Sequence, residues 1–301
     1  MGPGMNREPG TDRSSSQKLP RSTASDAVRI AATRGPRARG NHLEITPKVP
    51  AVKRHEAALL FVHGAYHGAW CWERFQEYFS DEGYATYAMN LRGHGGSDGH
   101  ERLRRTSARD YVNDIAEVAA TLPGSPVLIG HSMGGYLVQK YLERHQARAA
   151  VLMATMPARG GIRIFNRMLR QRPWRTIRMH LTMRPYVQIE TPDLAKAFLF
   201  SDDLPDEQVR QHHARLQSES YRIGWDMSLL DVPRPGRVPR TPMLVLGARN
   251  DTLILPAEVV DTAAAYGARA EFFDMAHDMM LEEGWNTIAH RIHQWLLENG
   301  L

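Results

Sequence analysis

From residue 57 onward the chain alternates short apolar runs with longer stretches in which apolar residues recur at helical spacing. The short runs have the length of buried strands, and the longer stretches have the period of amphipathic helices. Strands are predicted at 57–62, 84–89, 126–129, 149–153, 242–247 and 270–273. Helices are predicted at 72–79, 107–122, 136–145, 257–266 and 285–297. This alternation predicts an α/β fold with a mostly parallel, doubly wound sheet and helices on both of its faces.

The rhythm changes between residues 158 and 238. No convincing strand pattern occurs in this segment, and its helical patterns are interrupted at Pro173, Pro185, Pro192 and Pro205. Open α/β sheets bind ligands outside the carboxyl ends of their strands, where an insertion of this length would form a cover. We therefore expect residues 158–238 to be a helical cap, or lid, inserted between residues 46–157 and 239–301 of the α/β core.

The first 45 residues differ from the rest in composition. They are rich in Gly, Pro, Ser and Arg and poor in aromatic residues, so they bury too little apolar surface to offset the entropy of ordering. Residues 1–45 are therefore predicted to be a disordered basic extension. Residues 1–50 hold nine Lys/Arg and four Asp/Glu out of totals of 38 and 33, which leaves 29 of each sign in the remainder. This balance argues against nucleic-acid binding by the body of the protein.

Two further observations bear on the compartment. The chain has no apolar run near the roughly 20 residues that span a bilayer, so we expect no integral membrane segment and only peripheral membrane contact, if any. Cys71 is the single cysteine and cannot form an intrachain disulfide, which fits a reducing compartment. The expected location is the cytoplasm.

The segment from Pro126 to Gly135 carries the strongest chemical signal. A strand-like run enters the sequence Gly130-His-Ser-Met-Gly134, and helix-forming residues follow. Side chains on the two glycines would collide where strand and helix pack around a sharp turn, while the turn would hold Ser132 strained and exposed. The pattern is that of a nucleophile elbow, and it predicts Ser132 as a nucleophile.

A serine hydroxyl is a poor nucleophile at neutral pH, so Ser132 needs a base and an acid that orients the base. Asp251 follows one predicted strand and His277 follows the next, which would bring both to the sheet edge that carries the elbow. Asp278 competes with Asp251 as the partner of His277. Adjacent residues rarely face each other, so we prefer Asp251.

Three more histidines lie near these motifs. His131 is inside the elbow, and His63 and His94 lie in the loops after the first two predicted strands. We interpret His131 as structural, and His63 and His94 as residues that brace their loops.

Taken together, these motifs resemble the α/β-hydrolase superfamily, and the resemblance covers nearly the whole chain from residue 57 to its end. The motifs that carry it are His63-Gly64, Arg92-Gly-His-Gly-Gly-Ser97, Gly130 to Gly134, Gly247 to Asp251, and His277. The segment from Val62 to Trp72 looks like the branch of plant methylesterases and hydroxynitrile lyases. The long cap looks more like bacterial lipase-type and lysophospholipase-type members.

The resemblance implies acyl transfer to water through an acyl-enzyme intermediate. In this scheme His277 takes the proton of Ser132, Asp251 orients the imidazole, and the backbone N–H groups of Met133 and Ala65 form the oxyanion hole. The leading hypothesis is a serine hydrolase of carboxylic esters, acting on lipophilic esters or lipid monoesters as small-molecule substrates. The alternatives are a hydroxynitrile lyase or C–C hydrolase with the same triad, and a non-enzymatic ligand receptor. We expect no cofactor and no metal, and the oligomeric state is open.

The start of the predicted cap has an unusual charge pattern. Residues 159–184 contain eight arginines and no acid, with apolar residues between them. Such a segment could contact anionic lipid or a phosphorylated substrate. The competing interpretation, which we favour, is an ordinary lid whose arginines are solvated or paired with the acidic residues Asp202, Asp203, Asp206 and Glu207.

Overall fold

The computed structural model describes residues 1–2, 28–31 and 42–301. Eight strands in these residues form one sheet in the order β1-β2-β4-β3-β5-β6-β7-β8. Their bounds are Val28–Ala31 (β1), His42–Lys48 (β2), Leu59–Val62 (β3), Thr86–Met89 (β4), Val127–His131 (β5), Ala149–Met153 (β6), Met243–Ala248 (β7) and Ala270–Phe273 (β8).

The sheet is mostly parallel, as the alternation of elements predicts. Strands β3 to β8 pair in parallel, whereas β2 pairs antiparallel with both β1 and β4. Parallel strands need a crossover on one face of the sheet, and helices supply it. The predicted fold class is confirmed.

Ten α-helices lie in the described part of the chain. Their bounds are Glu73–Asp81 (α1), Ala108–Ala119 (α2), Met133–Leu142 (α3), Ile162–Gln171 (α4), Pro173–Thr182 (α5), Pro192–Leu199 (α6), Asp206–His213 (α7), Tyr221–Trp225 (α8), Pro256–Ala265 (α9) and Trp285–Glu298 (α10). None of the helices in this part of the chain is long and apolar enough to cross a membrane.

Both faces of the sheet are buried. Successive residues of β3 and β5 enter different hydrophobic clusters, with Phe61 and Ile129 on one face and Leu60 and Leu128 on the other. Because side chains alternate across a strand, a strand covered on both faces must be apolar at every position. This requirement explains why the central strands appear in the sequence as unbroken apolar runs.

The predicted boundary between the disordered extension and the folded core has to be corrected. Strand β2 begins at His42 and β1 covers Val28–Ala31, whereas residues 1–45 were predicted to be disordered. In β2, Leu43 and Ile45 are buried between more exposed neighbours, and the strand pairs with β1 on one side and β4 on the other. Residues 3–27 and 32–41 of the predicted disordered extension lie outside the described residues.

Residues 158–238, called here the helical segment, contain helices and no strand between β6 and β7. Helices α4 to α8 follow one another, and a π-helical turn at Asp226–Leu230 continues α8. The segment is attached to the core by buried polar contacts. One example is Asp226, whose carboxylate accepts the backbone N–H of Ala108 at the start of α2 at 2.9 Å.

Candidate active site

Ser132 occupies the sharp turn between β5 and α3. Its backbone angles, a φ of 52° and a ψ of −115°, lie outside the regions that residues other than glycine ordinarily adopt. A Cβ on Gly130 would lie 2.6 Å from the Gly134 carbonyl carbon, and one on Gly134 would collide with the carbonyl oxygens of Val62 and His63. The two glycines are therefore required by close backbone packing, as the sequence indicates.

The serine is less open to solvent than the sequence suggests. Its exposed fraction is 6%, because the helical segment covers the carboxyl edge of the sheet above it. Ser132 instead faces a partly open cavity of about 190 Å³. Access to the serine therefore depends on residues far from the elbow in the sequence.

The walls of this cavity are largely apolar. Ala65, Ser132 and Met133 form its floor, so the two predicted oxyanion-hole residues lie beside the serine. The apolar walls come from the core and from α4, α6 and α8, and include Met156, Ile164, Phe165, Met168, Phe198, Ile223 and Met227. A ligand seated here would exchange water for hydrocarbon contacts over most of its surface.

His277 pairs with Asp251 as the sequence predicts. The His277 Nδ1 atom lies 2.7 Å from Asp251 Oδ2, and both side chains are buried. The other carboxylate oxygen of Asp251 accepts the backbone N–H groups of Leu253 and Ile254 at 2.8 and 2.9 Å. Burial lowers the pKa of His277, but the Asp251 carboxylate more than offsets burial, so the net pKa is raised above its ordinary value. The pair has the geometry of a base and the acid that orients it.

Asp278 has a different partner. Its Oδ2 lies 3.0 Å from His67 Nε2, and its pKa is lowered because His67 and His131 outweigh the effect of burial. His131 does not face the cavity; its Nε2 atom donates to the backbone carbonyl of His277 at 2.9 Å. Burial, followed by the nearby His277, lowers the pKa of His131 to about 3, so the ring is neutral. Its structural interpretation agrees with this contact.

His131, His277 and Asp278 also bring possible metal-ligand atoms within 4.8 Å of one another. However, the Nδ1 atom of His277 is engaged by Asp251, and the Nε2 atom of His131 is engaged by a carbonyl. The contacts that these residues make are hydrogen bonds that fix the loop carrying His277.

The loop after β3 packs directly on the elbow. A Cβ on Gly64 would lie 3.2 Å from the Cβ of Ser132 and 2.7 Å from His131 Nδ1. His63 donates from Nδ1 to the Gly64 carbonyl at 2.8 Å and accepts the Leu91 N–H on Nε2 at 3.2 Å. Burial and the neighbouring His94 hold the pKa of His63 well below its ordinary value, so it braces this loop as a neutral ring.

No sequence motif points to Glu219. This residue of the helical segment lines the cavity, is 3% exposed, and accepts from His94 Nε2 at 3.1 Å. Burial raises the pKa of Glu219, but His94 more than offsets this effect, and the net pKa lies below its ordinary value. His94 therefore braces its loop against the helical segment. Only the fold brings together these two residues, which are 125 positions apart.

Comparisons with known proteins relate the chain to one family. The family model described as "Alpha/beta hydrolase family" matches residues 59–289. Methyl jasmonate esterase 1 of Vitis vinifera is 28% identical over 102 residues, which cover 33% of this chain and 39% of that protein. Methylesterase 10 of Arabidopsis thaliana is 35% identical over 105 residues, which cover 33% of this chain and 37% of that protein. The matched segments thus span less than half of these plant proteins.

Solved structures share the fold over most of the chain. An esterase from Thermogutta terrifontis matches with a TM-score of 0.66 and 20% identity, covering 91% of this chain and 98% of its own. A monoacylglycerol lipase from Paleococcus ferrophilus matches with a TM-score of 0.64 and 19% identity, covering 85% and 99%. At these identities the likeness establishes the fold.

Proposed function

The chain belongs to the alpha/beta hydrolase family, and we propose that it hydrolyses carboxylic esters through Ser132, His277 and Asp251. The observation that carries this proposal is the buried His277–Asp251 pair at 2.7 Å, on the loops that follow β8 and β7 at the carboxyl edge of the sheet, where the elbow serine follows β5. His131 links the two parts, because it is the last residue of β5, directly before Ser132, and its ring donates to the carbonyl of His277. Relatives named as esterases and methylesterases support the same activity.

The proposed reaction has two halves. His277 accepts the proton of the Ser132 hydroxyl as its oxygen attacks the ester carbonyl, and the resulting imidazolium is stabilised by Asp251. The N–H groups of Met133 and Ala65 stabilise the tetrahedral oxyanion, and His277 then donates its proton to the departing alcohol. In the second half, water attacks the acyl-enzyme with His277 as base, and the acid leaves as Ser132 is restored.

We further propose that the acyl group is lipophilic and that residues 158–238 act as a cap. The support is the cavity next to Ser132, whose walls are hydrocarbon on nearly every side. Burying an alkyl chain there would contribute about 0.8 kcal/mol for each methylene group removed from water. The proposed location, the cytoplasm, rests on the single cysteine, Cys71, which is buried.

A probe and a substrate series test this function. The wild type is expected to react with a fluorophosphonate probe and to hydrolyse p-nitrophenyl esters, with a preference for medium over acetyl chains. Ser132→Ala should abolish both, whereas Ser228→Ala, at another serine of the same cavity, should retain them. A wild type that neither labels nor turns over any ester contradicts the proposal.

The same assays distinguish the alternatives. Cleavage of cyanohydrins or C–C bonds without ester turnover would favour the lyase or C–C hydrolase alternative. Ligand binding without turnover would favour a receptor.

The surface of α4 and α5 supports a lipid contact of the cap. Trp174 and Leu181 are 81% and 80% exposed, and Ile177 lies between them on the same helix face. The arginines of this region do not pair with the acidic residues near 205, since Asp206 binds Lys196 and Glu207 binds Arg210. Four of the eight pair with other acidic residues: Arg163, Arg167, Arg175 and Arg178. The lipid contact is therefore assigned to other arginines, among them the exposed Arg170 and Arg184. A second copy of the chain that docked here through the same surface would place its own arginines against these arginines, and the like charges would repel each other. An anionic bilayer complements both the apolar stripe and the charge, so we propose that the cap touches lipid there.

Vesicle binding tests the lipid contact. The wild type should sediment with phosphatidylglycerol vesicles more than with phosphatidylcholine vesicles, and less at high salt. Replacing Trp174 and Leu181 by Ala, or the exposed Arg170 and Arg184 by Gln, should weaken binding, the latter by about fivefold for each arginine. Leu297→Ala, at an exposed leucine of α10, is the control. Equal binding by all variants, or to both lipids, would contradict the proposal.

A further inference from the structure

The direction of the Ala65 N–H group is set by the peptide that contains it. The carbonyl at the other end of that peptide belongs to Gly64, and it accepts from His63 Nδ1 at 2.8 Å and from the His67 N–H at 3.4 Å. In a trans peptide the C=O and N–H groups point in opposite directions. Holding the Gly64 oxygen therefore restricts where the Ala65 donor points, but it anchors only the first of the two peptides that meet at Ala65.

The next peptide is held at both of its ends. The Ala65 carbonyl lies 2.8 Å from His67 Nδ1, and the Tyr66 N–H donates to Glu219 Oε2 at 3.4 Å. The carbonyl of Tyr66 accepts the backbone N–H of Gln217 at 2.9 Å. The core, through His67, and the helical segment, through Gln217 and Glu219, thus both hydrogen-bond to the same short stretch of backbone.

These hydrogen bonds hold Tyr66 in a strained backbone conformation. Tyr66 has a φ of 71°, in the left-handed region that favours glycine over a bulky residue. Such a conformation persists only where the surroundings over-determine it. Without its contacts to the helical segment, Tyr66 would relax toward negative φ, and the peptides on either side of Ala65 would rotate.

Glu219 is suited to this task because its two oxygens are fixed by other partners. Oε1 accepts from the Tyr111 hydroxyl at 2.8 Å and from the Ser220 N–H at 2.6 Å. Oε2 accepts from His94 Nε2 at 3.1 Å in addition to Tyr66. These contacts restrict the movement of the Glu219 carboxylate. The conformation of the loop at Tyr66 therefore depends on the position of Glu219.

We propose that Glu219 is a positioning residue: from the cap, it holds the Tyr66 peptide so that the Ala65 N–H points at the oxyanion. The inference rests on the proposed ester hydrolysis and goes one step further. The oxyanion hole is complete only while residues 217–219 of the cap lie against the loop. Displacement of the cap therefore switches off transition-state stabilisation and opens the cavity at the same time.

Two variants and one matched control test this role. Glu219→Gln keeps the volume but offers one acceptor oxygen in place of two, and Glu219→Ala removes both. The control is Glu190→Gln, a carboxylate of the same cap that binds Arg175 and Arg178 away from the loop. Ester turnover, affinity for an alkyl trifluoromethyl ketone and the crystal structure of each variant are compared with those of the wild type.

We expect Glu219→Gln to lower kcat by about 10- to 100-fold with KM changed by less than about threefold, because loss of a whole oxyanion donor costs about 10²- to 10³-fold. Affinity for the ketone, which forms a tetrahedral adduct with serine, should fall in proportion to kcat/KM. Glu190→Gln should leave both unchanged. A change in KM alone, or ketone affinity that does not follow kcat/KM, would overturn the proposal.

The crystallographic measurement separates this inference from the proposed function. If Tyr66 keeps its positive φ in the Glu219 variants, Glu219 does not hold the loop, whatever the activity. If Tyr66 relaxes while the wild type hydrolyses no ester, the positioning role is supported and the hydrolase function fails. Should Glu219→Ala not fold, Glu219→Gln carries the same comparison.

Discussion

At the scale of residues, the site is defined by how four of its five buried histidines differ. His277 has a carboxylate on Nδ1 and a raised pKa, His131 and His63 are neutral rings with lowered pKa values, and His94 is paired with Glu219. Their positions in the sequence do not distinguish these roles. Burial acts on all four, and the partner of each ring decides the outcome.

The pH dependence of turnover follows from His277. As the proposed base, His277 acts only when its ring is neutral, and its pKa is raised above the ordinary 6.5. We expect kcat/KM for an uncharged ester to fall tenfold per pH unit on the acid side, with a midpoint above pH 6.5. Product formation measured by chromatography from pH 5 to 9 checks this, and Ser228→Ala should share the profile. A midpoint below pH 6 would exclude His277 as the base in the state described here.

The pH dependence of stability follows from His131. Its pKa is about 3 in the folded chain against an ordinary 6.5, so between these values the unfolded chain binds the extra proton. The free energy of unfolding therefore falls as pH falls, by up to about 1.4 kcal/mol per pH unit from this residue. His131→Gln can still donate to the His277 carbonyl but cannot titrate. Urea unfolding at pH 7, 5.5 and 4.5 should give it a shallower slope than the wild type; parallel slopes would contradict the assignment.

At the scale of elements, sequence patterns predict a strand or helix correctly where interactions between nearby residues determine it. The central strands β3 and β6 are apolar throughout because both faces are buried, and α2 begins after Ser107, which forms a capping box with Asp110. Element ends shift by a few residues. Strand β2 was missed because it alternates Leu43 and Ile45 with polar residues beside a segment of disordered composition. Its pairing with β4 is a long-range contact.

The elbow gives an element-scale prediction about stability. Gly134→Ala would drive a methyl group into the backbone carbonyls of Val62 and His63, which cannot move without shifting β3. We expect a loss of about 3 kcal/mol or more in the free energy of unfolding. Gly236→Ala, at an exposed position with no atom near the new Cβ, should change stability by less than about 1 kcal/mol. Thermal and urea unfolding of both variants compare them; equal stability would refute the packing argument.

At the scale of the whole molecule, the cavity is the feature that no single element contains. Its floor is the elbow, and its walls come from α4, α6 and α8. Neither part encloses it alone, because the sheet edge is open without the helical segment. The size of a ligand that fits this cavity is therefore decided by how the two parts pack.

Gly224 offers a way to alter the cavity without disturbing the backbone. It lines the cavity, and a Cβ built there meets nothing within 4 Å. Gly224→Leu should fill part of the space and lower kcat/KM for octanoyl esters by at least about tenfold while leaving acetyl esters nearly unchanged, since a few lost methylene contacts are worth about 1–3 kcal/mol. Gly236→Leu, on the exposed surface, is the control. Equal losses for short and long esters would show that this wall does not contact the acyl chain.

The sequence by itself determined the α/β alternation, the need for Gly130 and Gly134, and the choice of Asp251 over its neighbour Asp278, because these depend on local periodicity, local sterics and the order of motifs along the chain. Tertiary structure alone decided the rest. It covered Ser132, enclosed the cavity, paired Asp278 with His67 and brought Glu219 to the loop at Tyr66. These features join residues from distant parts of the chain, and a partner across the fold leaves no periodic trace in the sequence around either residue.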